Sequence, residues 1–447
     1  MLSSLDPHLI AQREPLKNAL VELVRIPSVC DEDAEGFPFG PAVDCALRKA
    51  LEIAAGLGFH VYYDDGGYYG YAEVGEGQEI LGILGHLDVV PAGNLDDWAS
   101  HPFEPIEQDG KLFGRGTQDD KGPLLAALFG VKALMDMGVT FAKRVRFIFG
   151  TDEETLWRGI KRYKEIEELP AMGFTPDARF PLVYAEKGLL QGVLEGSNKS
   201  GMRLTGGSAH NAVADSATSH GPHQDELAEE LQSRGFDFAR NEDSLIVMGK
   251  AAHAREPEAG INAINRLCIA IDTLGTESQA VRFVAREVGE DPYATRIFGA
   301  CEDKPSGRLT FNVGKIDIGD MERVYIDCRI PVTIAKESIV NKLTVAARTH
   351  GLVYREIDWL GPIHLPQQQA MCMTLMRIYS LVSGDLVSQP IAIGGATYAR
   401  AMDNCVAFGA LFPNEPNTEH QPNEHVTLKN LYMAMEIYAQ AIHELTR

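Results

Sequence analysis

An apolar run at residues 80–84 is followed closely by a histidine and an aspartate, His86 and Asp88. A run of this length and composition is typical of a buried parallel strand. The Leu- and Ala-rich stretch 124–137 has helical spacing, and Pro123 before it suits a first helical turn. Loops beyond the strand ends of an open α/β sheet are where ligands bind. The pattern therefore predicts an α/β fold with polar side chains gathered at one edge of its sheet.

The arrangement of a strand followed by acidic residues recurs along the chain. The strand predicted at 145–149 is followed by Glu153 and Glu154, and Asp177 lies just before another apolar run. Further candidates in loops or at a helix entrance are Asp119, Asp120 and His420. Each residue alone is compatible with a helix cap or a solvated turn. Histidines and carboxylates that converge from several strand ends suit a borderline-soft divalent metal ion, so the pattern predicts a metal site assembled by folding.

Five motifs carry a resemblance to a known family. They lie at 85–91, 114–122, 151–154, 176–178 and 417–422. In this order they resemble the motifs of the dinuclear zinc peptidases related to aminoacylase, carboxypeptidase G and peptidase V. The resemblance is strongest to the peptidase V branch of bacterial dipeptidases and covers nearly the whole chain. It implies hydrolysis of dipeptides that have a free N-terminus.

The resemblance also implies two Zn²⁺ ions per chain, with Mn²⁺ or Co²⁺ as alternatives. One ion would bind His86, Asp119 and Asp177. The other would bind Asp119, Glu154 and His420. Asp119 would bridge the two metal ions. Two metal ions about 3.5 Å apart can hold one hydroxide between them and polarise a carbonyl.

The remaining catalytic roles come from the same resemblance. Glu153 would be the general base that takes a proton from the bridging water and passes it to the leaving amine. Neighbouring residues at a strand end point in different directions, so Glu153 and Glu154 can serve different roles. Asp88 would accept the second N–H of the His86 imidazole and so fix its tautomer. The peptide bond after Asp119 would be cis.

A later part of the chain resembles the family's lid and substrate loops. His253 would stabilise the tetrahedral oxyanion. The residues that the resemblance assigns to substrate binding are Asn211, Arg329, Gly394, Gly395 and Thr397. The motifs depart from the family pattern at Ala214, where Pro is usual, and at Ala396, where a third Gly is common. Without the resemblance, His253 and Arg329 are compatible with structural roles in a sheet.

The element pattern predicts a discontinuous catalytic domain. Predicted helices lie at 6–26, 40–57, 124–137, 225–233, 261–274, 278–288, 334–350, 371–382 and 428–445. Strands and helices alternate up to residue 188, which is typical of a mostly parallel sheet covered by helices. Short alternating strands then predict an inserted α+β lid domain at 189–383, with a hairpin turn at 319–320. The catalytic domain would comprise 1–188 and 384–447.

The length of the insert carries a further implication of the resemblance. In short relatives, the lid histidine reaches the active site from the other subunit of a dimer. The second half of this long insert would replace that partner, so the protein is expected to be a monomer.

Composition excludes several classes of partner. The 447 residues include 63 acidic and 41 basic side chains, a net charge of −22. Nucleic acids and anionic membranes require basic patches, so neither is an expected partner. No apolar run reaches membrane-spanning length, and the first residues lack the basic and apolar regions of a signal peptide. The seven scattered cysteines include no Cys-x-x-Cys pair, which favours reduced thiols in the cytoplasm.

Two other functions stay open at this point. An N-acyl amino acid deacylase, of the succinyl-diaminopimelate desuccinylase or acetylornithine deacetylase type, would use the same kind of metal site. Those enzymes are usually shorter and dimeric, so the long insert favours a dipeptidase. A metal-binding scaffold without activity is disfavoured because Glu153 and the full ligand set are present.

Overall fold

The chain packs into two compact units. The computed structural model describes residues 5–221, 224–241 and 243–447. The first unit comprises the described residues of Met1–Tyr184, Leu365–Ile391 and Thr397–Arg447. The second comprises those of Ala185–His364 and Ala392–Ala396. The first unit is therefore discontinuous in sequence.

The helices and strands have the following bounds, in chain order. The helices are α1 (Asp6–Val24), α2 (Pro41–Gly56), α3 (Lys121–Asp136), α4 (Arg158–Ile166), α5 (Gln224–Ser233), α6 (Ala263–Leu274), α7 (Gln279–Phe283), α8 (Thr295–Phe298), α9 (Lys336–Thr349), α10 (Ala370–Ser383) and α11 (Leu428–Leu445). The strands are β1 (His60–Tyr63), β2 (Gly70–Val74), β3 (Ile80–His86), β4 (Ile106–Gln108), β5 (Lys111–Phe113), β6 (Arg144–Gly150), β7 (Met172–Thr175), β8 (Ala178–Arg179), β9 (Val183–Glu186), β10 (Gly188–Ser197), β11 (Arg203–Gly206), β12 (Ser216–His220), β13 (Phe238–Arg240), β14 (Ser244–Met248), β15 (Glu302–Asp303), β16 (Gly307–Arg308), β17 (Thr310–Ile318), β18 (Met321–Ile330), β19 (Val353–Leu360), β20 (Ile363–His364), β21 (Ile391–Ile393), β22 (Cys405–Ala407), β23 (Ala410–Leu411) and β24 (His425–Thr427).

The main sheet of the first unit has a parallel centre. Its strand order is β1-β2-β6-β3-β7-β22-β9. The neighbours β6, β3, β7 and β22 run parallel, whereas β1, β2 and β9 pair antiparallel at the flanks. β3 is buried along its whole length, as its apolar sequence predicts. The predicted α/β class is confirmed.

Helix α3 lies deepest in the first unit. Nearly all of its side chains are buried, because it is apolar on every face and packs against α1, α11 and β3. Gly130 permits the close approach of α11, since a Cβ atom there would lie 2.8 Å from the Met435 carbonyl oxygen. Among the described residues, no helix has the length and apolar character needed to cross a bilayer.

The second unit is built on an antiparallel sheet. Its eight strands, as far as the chain is described, have the order β13-β14-β12-β11-β17-β18-β10-β19. β17 and β18 form the hairpin predicted from the turn signal at 319–320. The apolar core includes Leu267 of α6, Val313 of β17 and Leu343 of α9, all fully buried. This is the predicted α+β architecture of the insert.

Most element predictions agree with the structure, although the short helices α4 and α8 were not predicted. The predicted helices are present with ends shifted by a few residues, but 278–288 is divided into α7 and a turn of π-helix, Val284–Val288. Helix α10, which the sequence analysis placed in the insert, packs against α11 in the first unit. Its apolar face predicts burial but does not specify the neighbour. The roles of the two units as catalytic domain and lid stay a prediction.

The packing of α3 on α11 can be tested at Gly130. We expect Gly130→Ala to lower the free energy of unfolding by about 1–3 kcal/mol, because the added methyl group meets the backbone of α11. Gly56→Ala is the matched control, since a Cβ atom at this helical glycine meets no atom within 4 Å. That variant should be stabilised by about 0.4–1 kcal/mol. Chemical denaturation followed by circular dichroism measures both, and equal shifts in the two variants would contradict the packing argument.

Candidate metal centre and active site

Parallel strands bring the candidate ligands to one edge of the first unit's sheet. β3 ends at His86, and its neighbours β6 and β7 end just before Glu153 and Asp177, respectively. The carboxyl ends of these adjacent parallel strands lie at the same edge. Asp119 lies two residues before α3, and the Asp119–Asp120 peptide bond is cis, as the resemblance implied.

Asp119 directs its two carboxylate oxygens at two different groups of side chains. Oδ1 lies 3.0 Å from Nε2 of His86, which is itself 3.9 Å from Oδ2 of Asp177. Oδ2 lies 2.9 Å from Nε2 of His420, which is 3.0 Å from Oε1 of Glu154. Donors that bind a tetrahedral ion at about 2.0–2.2 Å lie roughly 3.3–3.6 Å apart. The donor atoms that lie within 4.8 Å of one another are those of His86, Asp119 and Glu154, and those of His86, Glu153 and Asp177, so this edge can hold a metal ion.

The electrostatics of this edge favour added positive charge. Burial, together with the neighbouring carboxylates, raises the pKa of Glu153 and Asp177 well above the usual range. Hydrogen bonds to Asp119 and Glu154 raise the pKa of His420 to about 11. Within the described residues, Oδ1 of Asp120 is buried without a hydrogen-bond partner. Oxygen and imidazole donors with excess negative charge fit divalent cations.

The backbone next to His86 sets the orientation of its ring. Nδ1 donates to the carbonyl oxygen of Asp88 at 2.9 Å, which leaves Nε2 as the free ligand atom. The sequence analysis expected Asp88 to accept this N–H without naming the atom, and in the structure the acceptor is the backbone carbonyl. The carboxylate lies 3.7 Å from Nδ1 because its Oδ2 accepts from the Glu154 backbone N–H at 3.0 Å. Asp88 therefore links the loop after β3 to the acidic turn.

The acidic turn separates its two glutamates. Glu154 contacts His420, whereas Glu153 has a carboxylate oxygen that falls within 4.8 Å of donor atoms of His86 and Asp177. The backbone of the turn is also anchored, because the indole N–H of Trp157 donates to the Glu153 carbonyl at 2.7 Å. Both glutamates lie near His86, and they differ in their other neighbours, which are Asp177 for Glu153 and Asp119 and His420 for Glu154.

The second unit brings another group of candidate residues together. The backbone N–H of Ala254, next to His253, donates to the carbonyl of Asn211 at 2.9 Å. Nδ1 of His253 accepts from the Arg255 backbone N–H at 3.0 Å, so the neutral ring carries its proton on Nε2. Burial, with the charges of Arg329 and Arg255, lowers the pKa of His253 to about 4. His253 is thus a neutral donor.

Arg329 already has a carboxylate partner. Its Nε and Nη2 donate to the two oxygens of Asp327 at 2.5 and 2.8 Å, and Nη1 donates to the Gly394 carbonyl at 3.0 Å. Each terminal nitrogen has a second N–H beyond these bonds. Gly395 lies beside Gly394 in the second unit, whereas Thr397 lies in the first unit and its side chain accepts from the Ala399 N–H at 3.3 Å. Substrate binding by these residues stays a prediction.

Comparison with known proteins assigns the chain to a family. The model of peptidase family M20/M25/M40 matches residues 82–444. The chain belongs to this family. It is 36% identical over 478 aligned positions to "Putative dipeptidase YtjP" of Bacillus subtilis (strain 168), and 99% of each chain is covered. As a member of peptidase family M20/M25/M40, the chain is a peptidase.

Solved structures share the fold of this M20/M25/M40 peptidase. Human carnosine dipeptidase 1 has a TM-score of 0.62 and 16% identity, with 100% of this chain and 98% of that chain covered. The di-peptidase Dug1p of Saccharomyces cerevisiae has a TM-score of 0.60 and 14% identity, with 99% of each chain covered. The likeness at these identities concerns the fold.

Sequence reasoning missed residues that position this M20/M25/M40 site. Asp152 is buried and accepts from Nε and Nη2 of Arg158 at 2.8 and 2.9 Å, which holds the turn that carries Glu153. Tyr398 is buried with its ring perpendicular to that of His86, at 6.4 Å between centroids. Asp152 belongs to an acidic triplet that the sequence makes visible. Neither Arg158 nor Tyr398 carries a comparable local signal.

The different neighbours of Glu153 and Glu154 allow a test of which residue is the general base and which is a metal ligand. We expect Glu153→Gln to keep both metal ions and to lose about 10²–10⁴ in turnover, the usual range for a positioned acid–base group. Glu154→Gln is the matched control, because it makes the same change one residue later and should lose metal. Metal content after gel filtration and initial rates measure the two effects. The assignment is wrong if Glu153→Gln loses an ion while Glu154→Gln keeps both.

Proposed function

We propose that this peptidase is a metal-dependent dipeptidase that cleaves the amide bond of dipeptides with a free N-terminus. The observation that carries the proposal is the placement of Asp119, whose two oxygens face two separate groups of donor atoms. His86 and Asp177 would hold one Zn²⁺ with Asp119, and Glu154 and His420 would hold the other. Mn²⁺ and Co²⁺ are the alternatives. The names of the sequence relative and of the two structural neighbours all contain the word dipeptidase.

The chain's own residues would then divide the reaction between them. Two divalent ions at this site would make a water nucleophilic at neutral pH and polarise the substrate carbonyl. Glu153 takes the proton of the attacking water and gives it to the leaving amine as the amide bond breaks. Its raised pKa, caused by burial, suits a group that must both accept and donate a proton. The carbonyl of Asp88 keeps Nε2 of His86 available as a ligand.

Two side chains of the second unit have proposed roles in binding. The Nε2–H of His253 is the donor that a developing oxyanion requires. Arg329 would bind the substrate carboxylate through the N–H groups that its bond to Asp327 leaves unused. Asn211, the residues Gly394 and Gly395, and Thr397 would complete substrate binding. All seven cysteines are free thiols in the structure, which supports the cytoplasmic location that we propose.

A substrate panel tests this function against the deacylase alternative. Dipeptides with free N-termini, including β-Ala and D-residue forms, are compared with their N-acetylated forms and with N-acetyl and N-succinyl amino acids. We expect hydrolysis of the free dipeptides, abolished by exhaustive chelation and restored by Zn²⁺ or Mn²⁺. Glu153→Gln protein prepared identically controls for contaminating peptidases. Faster cleavage of N-acyl amino acids than of every free dipeptide would overturn the dipeptidase assignment.

We also propose that the protein acts as a monomer. The described part of the second unit forms a continuous eight-stranded sheet from one chain, whose two halves meet where β11 pairs with β17. A sheet of this extent supports the expectation that the insert contains its own replacement for a partner subunit. His253 would then serve its own chain.

Subunit mixing tests this proposal. Inactive Glu153→Gln protein is mixed with inactive His253→Ala protein, and activity is measured over time at several concentrations. We expect the mixture to stay inactive, because each chain lacks one group that the other cannot supply. Wild-type specific activity should not fall on dilution to nanomolar concentration. Recovery of activity on mixing would show that His253 acts across subunits.

A further inference from the structure

A buried ion pair lies beside the candidate metal centre and has no role in the reaction described above. Nη1 of Arg115 donates to Oε2 of Glu424 at 2.7 Å. Both side chains are almost completely buried, with 2% and 0% of their surface exposed. The two residues are 309 positions apart in the sequence. A buried ion pair is weak evidence for stability by itself, so its other contacts decide what it does.

The second carboxylate oxygen of Glu424 accepts hydrogen bonds from three backbone N–H groups. Oε1 accepts from the N–H groups of Gly116, Gln118 and Asp119 at 3.0, 2.9 and 3.2 Å. Gly116 makes this convergence feasible, because its φ of 88° lies in the left-handed region that favours glycine. Successive N–H groups that point into one concavity form an anion-binding site. Oε1 of Glu424 is the acceptor in this concavity, and burial raises the pKa of its carboxyl to about 7.

Further bonds join the ion pair to the other ligand-bearing segments. Nη2 of Arg115 donates to the Pro91 carbonyl at 3.4 Å, in the loop that follows His86. The Thr418 backbone N–H and hydroxyl donate to Oε1 of Gln118 at 2.6 and 2.9 Å, two residues before His420. Arg115 and Glu424 therefore connect the loop after β3, the loop before α3 and the C-terminal segment.

We propose that Glu424 is the positioning residue for Asp119. By accepting from the Asp119 backbone N–H and its two neighbours, Glu424 fixes the loop so that one carboxylate reaches both groups of donors. The Arg115 guanidinium offsets the negative charge of Glu424. Its hydrogen bond to the Pro91 carbonyl connects the loop to the segment that follows His86. The inference rests on the proposed function, because it assigns Asp119 to the metal pair. Glu424 would act on Asp119 through the Asp119 backbone N–H.

Glu424→Gln tests the proposal, because it keeps the shape of the side chain and removes the charge that attracts three N–H groups. We expect metal affinity to fall by about 10–100-fold, as is usual when the partner of a ligand is lost. In the metal-free protein, amide exchange should accelerate at 116, 118 and 119 while the strands β3 and β6 keep their protection. Competition with a chromophoric chelator and hydrogen exchange measure the two effects.

Matched variants separate positioning from general structure. Glu419→Gln removes one negative charge from the same segment, where Glu419 contacts the exposed Asn417 side chain, and should leave metal affinity unchanged. Glu424→Asp keeps the charge but shortens the reach, so its metal affinity should fall between those of the wild type and Glu424→Gln. If Glu424→Gln does not fold, Glu424→Asp supplies the same comparison.

The outcomes distinguish this inference from the proposed function. If the wild type binds two ions and Glu424→Gln binds them equally tightly, the positioning role is wrong while the function stands. The positioning role is also wrong if exchange accelerates throughout the first unit and metal affinity is unchanged. If the wild type binds no metal ion, both proposals are overturned.

Discussion

Compensation of buried negative charge is the constraint on which the first unit depends. The parallel strands β3, β6 and β7 end side by side and leave His86, Glu153 and Asp177 at one edge. An isolated buried carboxylate costs several kcal/mol unless a partner offsets it. The protein supplies such partners where it can: two imidazoles contact Asp119, and a guanidinium and three N–H groups contact Glu424. The remaining excess of negative charge is what divalent ions would balance.

This constraint explains why part of the site was predictable from the sequence. A short apolar run fixes where a buried strand ends, and any charged residue directly after it must lie at the sheet edge. His86 and Glu153 follow such runs, whereas Asp177 was predicted only as a residue before an apolar run and in the structure follows the short strand β7. The prediction named Asp88 as the acceptor but not the accepting atom, because the choice between its carbonyl and its carboxylate depends on the course of the loop. Local sequence carries no information on that choice.

Other features depend on contacts between distant residues. Arg115 and Glu424 meet only after the chain has passed through the second unit and returned. Arg115 lies within a recognised motif and Glu424 lies two residues beyond another, but nothing near either one indicates the partner. The insert shows the same division: the β17–β18 hairpin follows from a local turn signal, whereas the pairing of β11 with β17 joins segments about a hundred residues apart. Periodicity likewise predicted α10 but not its packing against α11.

The central claim is that Asp119 bridges two metal ions, and anomalous diffraction tests it most directly. Crystals grown with Zn²⁺ are measured on both sides of the zinc absorption edge. The account predicts two anomalous peaks, one among Oδ1 of Asp119, His86 and Asp177 and the other among Oδ2 of Asp119, Glu154 and His420. A single peak at this edge of the sheet, or two peaks that do not share Asp119, would contradict it.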